Sequence, residues 1–187
     1  MEWKTVEAKF AESLDAKLIK QISRIENPKF WRQYVMEKKA LIKLHQEGGF
    51  STEIKEELLW HGTRKTHPSA IYAGLEESFD LIYANNGMWG RGLYFAKLAS
   101  YSDSYYAYNT PNNTKLLILA RVMVGDSIEL PSDSSLKGAP LRENSKIPYD
   151  SVKGETMNHE IYILYRMRRA YPEYVIEYGD GNKNDDQ

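Results

Sequence analysis

The chain has 187 residues, a mass of 21.7 kDa and a formal net charge of -1 at pH 7. This length is typical of one domain, and a composition of 42% hydrophobic and 27% charged residues is ordinary for a soluble globular protein. The chain has no cysteine, which excludes disulfides, thiolate catalysis and zinc-finger sites. Its near-neutral charge gives no electrostatic footprint for nucleic acid or for an anionic membrane.

No apolar run approaches the roughly eighteen residues that a bilayer-spanning helix needs. The first residues also lack the cationic stretch and apolar run of a signal peptide. We therefore expect an intracellular protein, cytoplasmic or nuclear, with no membrane partner.

The first part of the chain predicts two helices. Four apolar residues fall on one face at helical spacing, namely Trp3, Val6, Phe10 and Leu14. Residues 17–26 fit a strand as well as a helix, and the pattern does not decide between them. Asn27 and Pro28 are typical of a helix start, and Gly48 and Gly49 of a helix end. The residues of this second helix expected to face inward are Phe30, Trp31, Tyr34, Val35, Leu41 and Ile42.

The rest of the chain predicts short elements in alternation. The predicted strands are residues 58–60, 93–96, 116–124, 161–167 and 174–178. The predicted helices are residues 68–73 and 98–108. The predicted irregular segments are residues 78–89, with a turn at Asn85-Asn86-Gly87, residues 131–148 and residues 170–173. We expect one α+β domain over residues 1–178 and a disordered polar tail over residues 179–187.

Two motifs suggest common sites that the rest of the sequence does not support. Gly90-Arg91-Gly92 lacks the third glycine of a dinucleotide fingerprint, and a strand follows it instead of a helix. His159-Glu160 has no second histidine at the spacing of a zinc-protease helix. With four histidines and no cysteine, no metal site is predicted.

Three other segments are informative because of their order and spacing. The His61-Gly62-Thr63 motif follows an apolar strand, residues 90–96 (GRGLYFA) come about thirty residues later, and Ser102 lies eight residues beyond Tyr94. Each segment alone is more often structural than functional. Together they resemble the nicotinamide dinucleotide (NAD) pocket of poly(ADP-ribose) polymerase-like, or diphtheria-toxin-like, ADP-ribosyltransferases. The resemblance covers residues 3–178 and is closest to the mono-ADP-ribosylating members.

The resemblance implies roles for the residues that match the family pattern. His61 would bind the adenosine ribose, and Thr63 would contact the adenosine side. The backbone of Gly62 and the hydroxyl of Ser102 would hold the nicotinamide carboxamide.

Two aromatic residues would enclose the nicotinamide ring. Tyr94 would pack beside the nicotinamide ribose and ring, and Tyr105 would stack on the other face of the ring. A shift of one residue would place Tyr106 there instead, and this alternative stays open. An aromatic ring held between two others is a favourable arrangement for a flat leaving group.

The late strand departs from the pattern of the polymer-forming members. Where those members have a catalytic glutamate, counting back from Tyr174 places Ile161, so that the implied catalytic set is His61, Tyr94 and Ile161. Glu160 is adjacent, but neighbouring strand residues point to opposite faces. A one-residue bulge would reverse that conclusion and stays open at this point.

The resemblance implies a fold with two small, mainly antiparallel sheets, flanking helices and an NAD cleft between the sheets. The implied function is transfer of one ADP-ribose unit from NAD, used as a co-substrate without a metal, to a protein side chain. The acceptor would be an Asp or Glu on another protein or on the chain itself, and nicotinamide mimics would inhibit. Two alternatives stay open. One is an inactive NAD- or partner-binding module. The other is modification of nucleic-acid ends, which the neutral charge disfavours but which Arg64, Lys65 and Arg91 near the motifs would assist.

Overall fold

The structure is a computed structural model and describes residues 2–179. The predicted tail therefore lies, apart from Gly179, outside the described residues. The four helices are α1 (Glu2–Ala11), α2 (Pro28–Gly48), α3 (Ser69–Tyr72) and α4 (Ala99–Tyr105). The first strands are β1 (Ile19–Arg24), β2 (Glu56–His61), β3 (Asn86–Gly87), β4 (Gly90–Arg91), β5 (Leu93–Ala96) and β6 (Tyr108–Asn109). The later strands are β7 (Lys115–Met123), β8 (Ser127–Glu129), β9 (Ser151–Thr156), β10 (His159–Leu164) and β11 (Ala170–Tyr178).

Nine of these strands form one sheet in the order β1-β11-β7-β2-β5-β10-β9-β8, with β6 paired to β7. All of its pairs are antiparallel except β8 with β9. The second sheet is only the β3–β4 hairpin. The expectation of two small sheets is therefore only partly right, since one sheet contains nearly all the strands.

The large sheet has a narrow junction at its centre. β2 pairs with β7 through six residues and β5 pairs with β10 through four, but β2 and β5 share only the pair Trp60–Ala96. Beyond that pair the two strands part. The two groups of strands on either side of this junction are the closest counterpart of the two sheets that the sequence implied.

The two long helices form where the sequence predicted them. In α1, Val6 and Phe10 are buried, and the Phe10 ring lies 5.8 Å from that of Trp60. In α2, Asn27 accepts a hydrogen bond from the Phe30 amide at 3.2 Å, and Pro28 occupies the first turn. The helix ends at Gly49 in the left-handed conformation, with φ of 73°, which a glycine adopts without strain. Trp31, expected inside, is 45% exposed.

Several elements differ from the prediction. The ambiguous residues 17–26 contain β1, and strands β8 and β9 were not predicted. The predicted connection at residues 170–173 is part of β11, where a register shift between Pro172 and Tyr174 accommodates the proline. α4 ends at Tyr105 because Tyr108 and the residue after it pair with β7.

A buried charged cluster attaches residues 131–148 to the body of the domain. The Asp150 carboxylate lies 3.1 Å from the Arg142 guanidinium and 2.9 Å from His45 Nε2 on α2. It also accepts a hydrogen bond from the Asp126 amide at 2.8 Å. Because several donors share the buried carboxylate, the irregular segment has a fixed position against the sheet.

None of the helices within residues 2–179 combines the length and the apolar character that crossing a bilayer requires.

Candidate functional site

His61 lies at the point where β2 and β5 part. Its Nδ1 is 2.9 Å from the Tyr94 carbonyl oxygen, and because a carbonyl only accepts, Nδ1 carries the proton. Nε2 is then left with a lone pair that can accept a hydrogen bond. Burial lowers the pKa of His61, and the bond to the Tyr94 carbonyl only partly opposes this shift. The half-buried ring has edge contacts with Phe79 and tilted contacts with Phe95, at 5.1 and 5.3 Å.

Gly62 lies directly against the end of α4. A Cβ atom at this position would be 2.3 Å from the Tyr106 carbonyl oxygen, so only glycine fits. The same carbonyl accepts a hydrogen bond from the Arg64 amide at 2.8 Å, and Arg64 Nε donates to the Tyr105 carbonyl at 2.8 Å. The His61-Gly62-Thr63 motif and the predicted stacking residues are thus held together by backbone contacts.

The Tyr94 hydroxyl forms two hydrogen bonds. The hydroxyl donates to the Gly90 carbonyl at 2.7 Å and accepts from the Trp89 amide at 2.9 Å. Its ring packs on Gly87, where a Cβ would be 2.6 Å away. Burial raises the pKa of Tyr94, which keeps the phenol protonated. Its side chain is therefore suited to packing and not to proton transfer.

Ser102 lies on α4 and is 2% exposed. Tyr105, one turn further along α4, is 41% exposed. The Tyr106 ring is covered by the Arg64 guanidinium at 4.9 Å, which leaves Tyr105 the more open of the two candidate rings.

Ile161 and Glu160 lie on opposite faces of β10. The strand pairs with β5 and β9 without a register shift, so the bulge left open by the sequence is absent from it. Ile161 is opposite Ala96, is 2% exposed, and shares a face with Tyr94 because Tyr94 is opposite Ile163.

Glu160 points to the other face, where its carboxylate lies 3.0 Å from Lys97 and 3.4 Å from Lys153. Burial alone would raise the pKa of Glu160, but the hydrogen bond and charge of Lys97 bring the pKa below its usual range. The Glu160 carboxylate is therefore held in two ion pairs on the face of β10 opposite to Ile161 and Tyr94.

A cavity of about 770 Å³ opens beside Thr63. Its volume lies within the range of roughly 300–1,000 Å³ that is usual for small-molecule sites. Thr63 lines it together with Phe79, whose ring contacts His61, and with Asp80 and Tyr83. The sequence did not indicate the last three residues, because they lie in residues 78–89, which show no hydrophobic period.

Trp89 is a further residue that the sequence did not indicate. Its buried indole donates to the Leu130 carbonyl at 3.0 Å and occupies the space above Gly154, where a Cβ would be 2.1 Å away. Gly154 is the β9 partner of Ile161. Trp89 therefore fills the face of the sheet that carries Ile161 and Tyr94. The turn predicted at Asn85-Asn86-Gly87 lies later in the chain. Asn86 and Gly87 form β3, and the turn to β4 is at residues 88–89.

Residues 1–147 match the family described as the poly(ADP-ribose) polymerase catalytic domain. The chain belongs to this family. The mixed helix and strand content, with one large sheet and one small one, is accordingly the fold of a poly(ADP-ribose) polymerase catalytic domain.

Several relatives are similar over nearly the whole chain. A probable poly(ADP-ribose) polymerase of Dictyostelium discoideum is 33% identical over 95% of this chain and 49% of its own length. The mouse protein mono-ADP-ribosyltransferases PARP12 and PARP11 are 31% and 30% identical over 93% and 95% of this chain. The chain spans only 23% and 57% of those two proteins.

The contact at Gly62 predicts a large effect of one methyl group. Gly62→Ala should lower the free energy of unfolding by about 1–3 kcal/mol, because the Cβ would force the end of α4 away from β2. Urea denaturation measures the change. Gly138→Ala is the matched control, since a Cβ there meets nothing within 4 Å. Equal stability of the two variants would contradict the close contact.

The buried position of Ser102 on α4 predicts a binding effect. Benzamide offers the same planar ring and amide as nicotinamide. Ser102→Ala should weaken benzamide binding by about 1 kcal/mol, a factor of roughly five, through loss of one buried hydrogen bond. Titration calorimetry gives the affinities, and Ser104→Ala, an exposed serine on the same helix, is the control. Unchanged affinity in Ser102→Ala would remove Ser102 from the site.

Proposed function

We propose that this protein transfers a single ADP-ribose unit from NAD to a protein side chain and releases nicotinamide. The observation that carries the proposal is the position of Ser102, a buried serine on the helix whose C-terminal end contacts Gly62. The relatives named protein mono-ADP-ribosyltransferases support the same activity.

The proposed cleft for NAD lies where β2 and β5 part. His61 Nε2 would accept a hydroxyl of the adenosine ribose, with the adenine end toward the cavity beside Thr63. The nicotinamide carboxamide would bind the Gly62 backbone and the Ser102 hydroxyl, with the ring between Tyr94 and Tyr105. The lack of room for a side chain at Gly62 supports this placement, because it holds the Gly62 backbone close to the end of α4, the helix that carries Ser102.

The reaction breaks the bond between the ribose anomeric carbon and the nicotinamide nitrogen. Nicotinamide leaves with the bonding electrons, and positive charge develops on the ribose. Ile161 cannot stabilise this charge. We propose that an Asp or Glu of the acceptor supplies the negative charge, and that its oxygen then bonds to the anomeric carbon.

This chemistry ends after one unit. The acceptor carboxylate is consumed, and no protein carboxylate on the Tyr94 face of β10 activates a sugar hydroxyl for a second transfer. The Dictyostelium relative is named a polymerase, but Ile161 favours single transfer in this chain.

Modification of nucleic-acid ends receives less support. Arg91 donates hydrogen bonds to the Ala84 and Ile82 carbonyls, and Arg64 is bound to the end of α4. Two of the three cations near the motifs are therefore committed to the fold.

Mass spectrometry after incubation with NAD tests the proposal. We expect single ADP-ribose additions on the protein or on an added acceptor, and no additions with His61→Ala. Absence of any transfer would overturn the enzymatic proposal, and transfer by a folded His61→Ala variant at limiting NAD would contradict the placement of NAD.

Ile161 gives a prediction about chain length. Ile161→Glu should change the rate of transfer without producing long polymer, because chain growth also needs a surface that docks the previous unit, and residues 115–149 show none in the sequence. Burying the new carboxyl should cost a few kcal/mol of stability. Gel electrophoresis of the products measures chain length.

Glu160→Gln is the matched variant on the other face of β10 and should have little effect on transfer. Long chains from the unaltered protein would contradict single transfer, and loss of transfer in Glu160→Gln would contradict the assignment of the two faces.

A further inference from the structure

His159 is the first residue of β10 and lies on the same face as Ile161, two residues further along the strand. It directly follows the turn at Met157 and Asn158, both of which have positive φ, as in a two-residue hairpin. Met157 is 64% exposed, so His159 is at the solvent edge of this face. The histidine is thus about 7 Å along the strand from the residue predicted to face the nicotinamide ribose.

The hydrogen bonds of His159 define its chemistry. Nδ1 is 2.7 Å from the Met157 carbonyl oxygen and must therefore donate to it. In the neutral imidazole Nε2 then carries the lone pair, and the Ser100 hydroxyl donates to it at 3.2 Å. That distance is long for a hydroxyl donor, so a competing hydroxyl displaces Ser100 at small cost. The oriented Nε2 is a base with one weak partner.

A row of aromatic rings connects His159 to the predicted nicotinamide-binding residues. The Tyr101 ring lies 5.3 Å from the His159 ring and 5.1 Å from that of Tyr105. His159 therefore borders the proposed site next to α4. Its imidazole lies on the same sheet face as Ile161. It contacts the Tyr101 ring, which also contacts Tyr105.

We propose that His159 Nε2 accepts a proton from a serine hydroxyl of the acceptor, so that this site modifies serine as well as carboxylate side chains. The inference rests on the proposed transferase function. A carboxylate attacks without losing a proton, whereas a hydroxyl must lose one. The serine oxygen bonds to the anomeric carbon, its proton moves to Nε2 and then to water, and nicotinamide leaves with the electrons of the broken bond.

Two acceptor peptides that differ only in one residue, Glu or Ser, separate the two chemistries. The protein is incubated with NAD and each peptide, and the products are measured by mass spectrometry before and after treatment with hydroxylamine. Hydroxylamine cleaves the ester formed with glutamate but not the O-glycosidic bond formed with serine. His159→Gln retains hydrogen-bonding groups but cannot take up a proton at neutral pH. It should lower serine transfer roughly a hundredfold, as expected for loss of a general base, and leave glutamate transfer within about twofold.

Ser100→Ala is the matched control and should keep both activities, because it removes only the weak partner of Nε2. The glutamate peptide also verifies that His159→Gln is folded. Serine transfer that survives His159→Gln, or an equal loss with both peptides, would overturn the role of His159. Wild-type transfer to glutamate alone would overturn the inference and leave the proposed function standing, whereas no transfer to either peptide would overturn both.

Discussion

The hydrogen bond from His61 to the Tyr94 carbonyl determines the arrangement of the site. β2 and β5 share one residue pair and then part, and this bond connects them where the backbone ladder stops. Burial among the surrounding rings lowers the pKa of His61, so the imidazole is neutral. Because its one proton is on Nδ1, which donates to the Tyr94 carbonyl, Nε2 is an acceptor. A small displacement of either strand would change the width of the opening between β2 and β5. It would also break the hydrogen bond that makes His61 Nε2 an acceptor.

Close packing of backbone and rings completes this arrangement. The carbonyl of Tyr106 reaches Gly62, and the indole of Trp89 fills the space above Gly154 beside Ile161. These contacts leave little freedom for α4 or for the face of β10. The site therefore combines rigid walls with the buried Ser102 on α4.

The sequence predicted the parts of the fold that local chemistry determines. The Asn27 cap and the left-handed Gly49 delimit α2, and the apolar run of β7 identifies a central strand. It did not predict β9, whose Gly154 and polar residues become a strand only through pairing with β10. The site motifs were recognisable because their order and spacing resemble a family pattern. Trp89 and the cavity beside Thr63 were not, since they depend on how irregular segments fold back on the sheet.

The central claim is that NAD binds where β2 and β5 part, with its nicotinamide end at α4. A crystal structure of the protein with a hydrolysis-resistant NAD analogue tests it most directly. The account predicts the carboxamide within hydrogen-bond distance of the Ser102 hydroxyl and the Gly62 backbone, and an adenosine ribose hydroxyl on His61 Nε2. A carboxamide bound away from Ser102, or a nucleotide that leaves His61 Nε2 without contact, would contradict it.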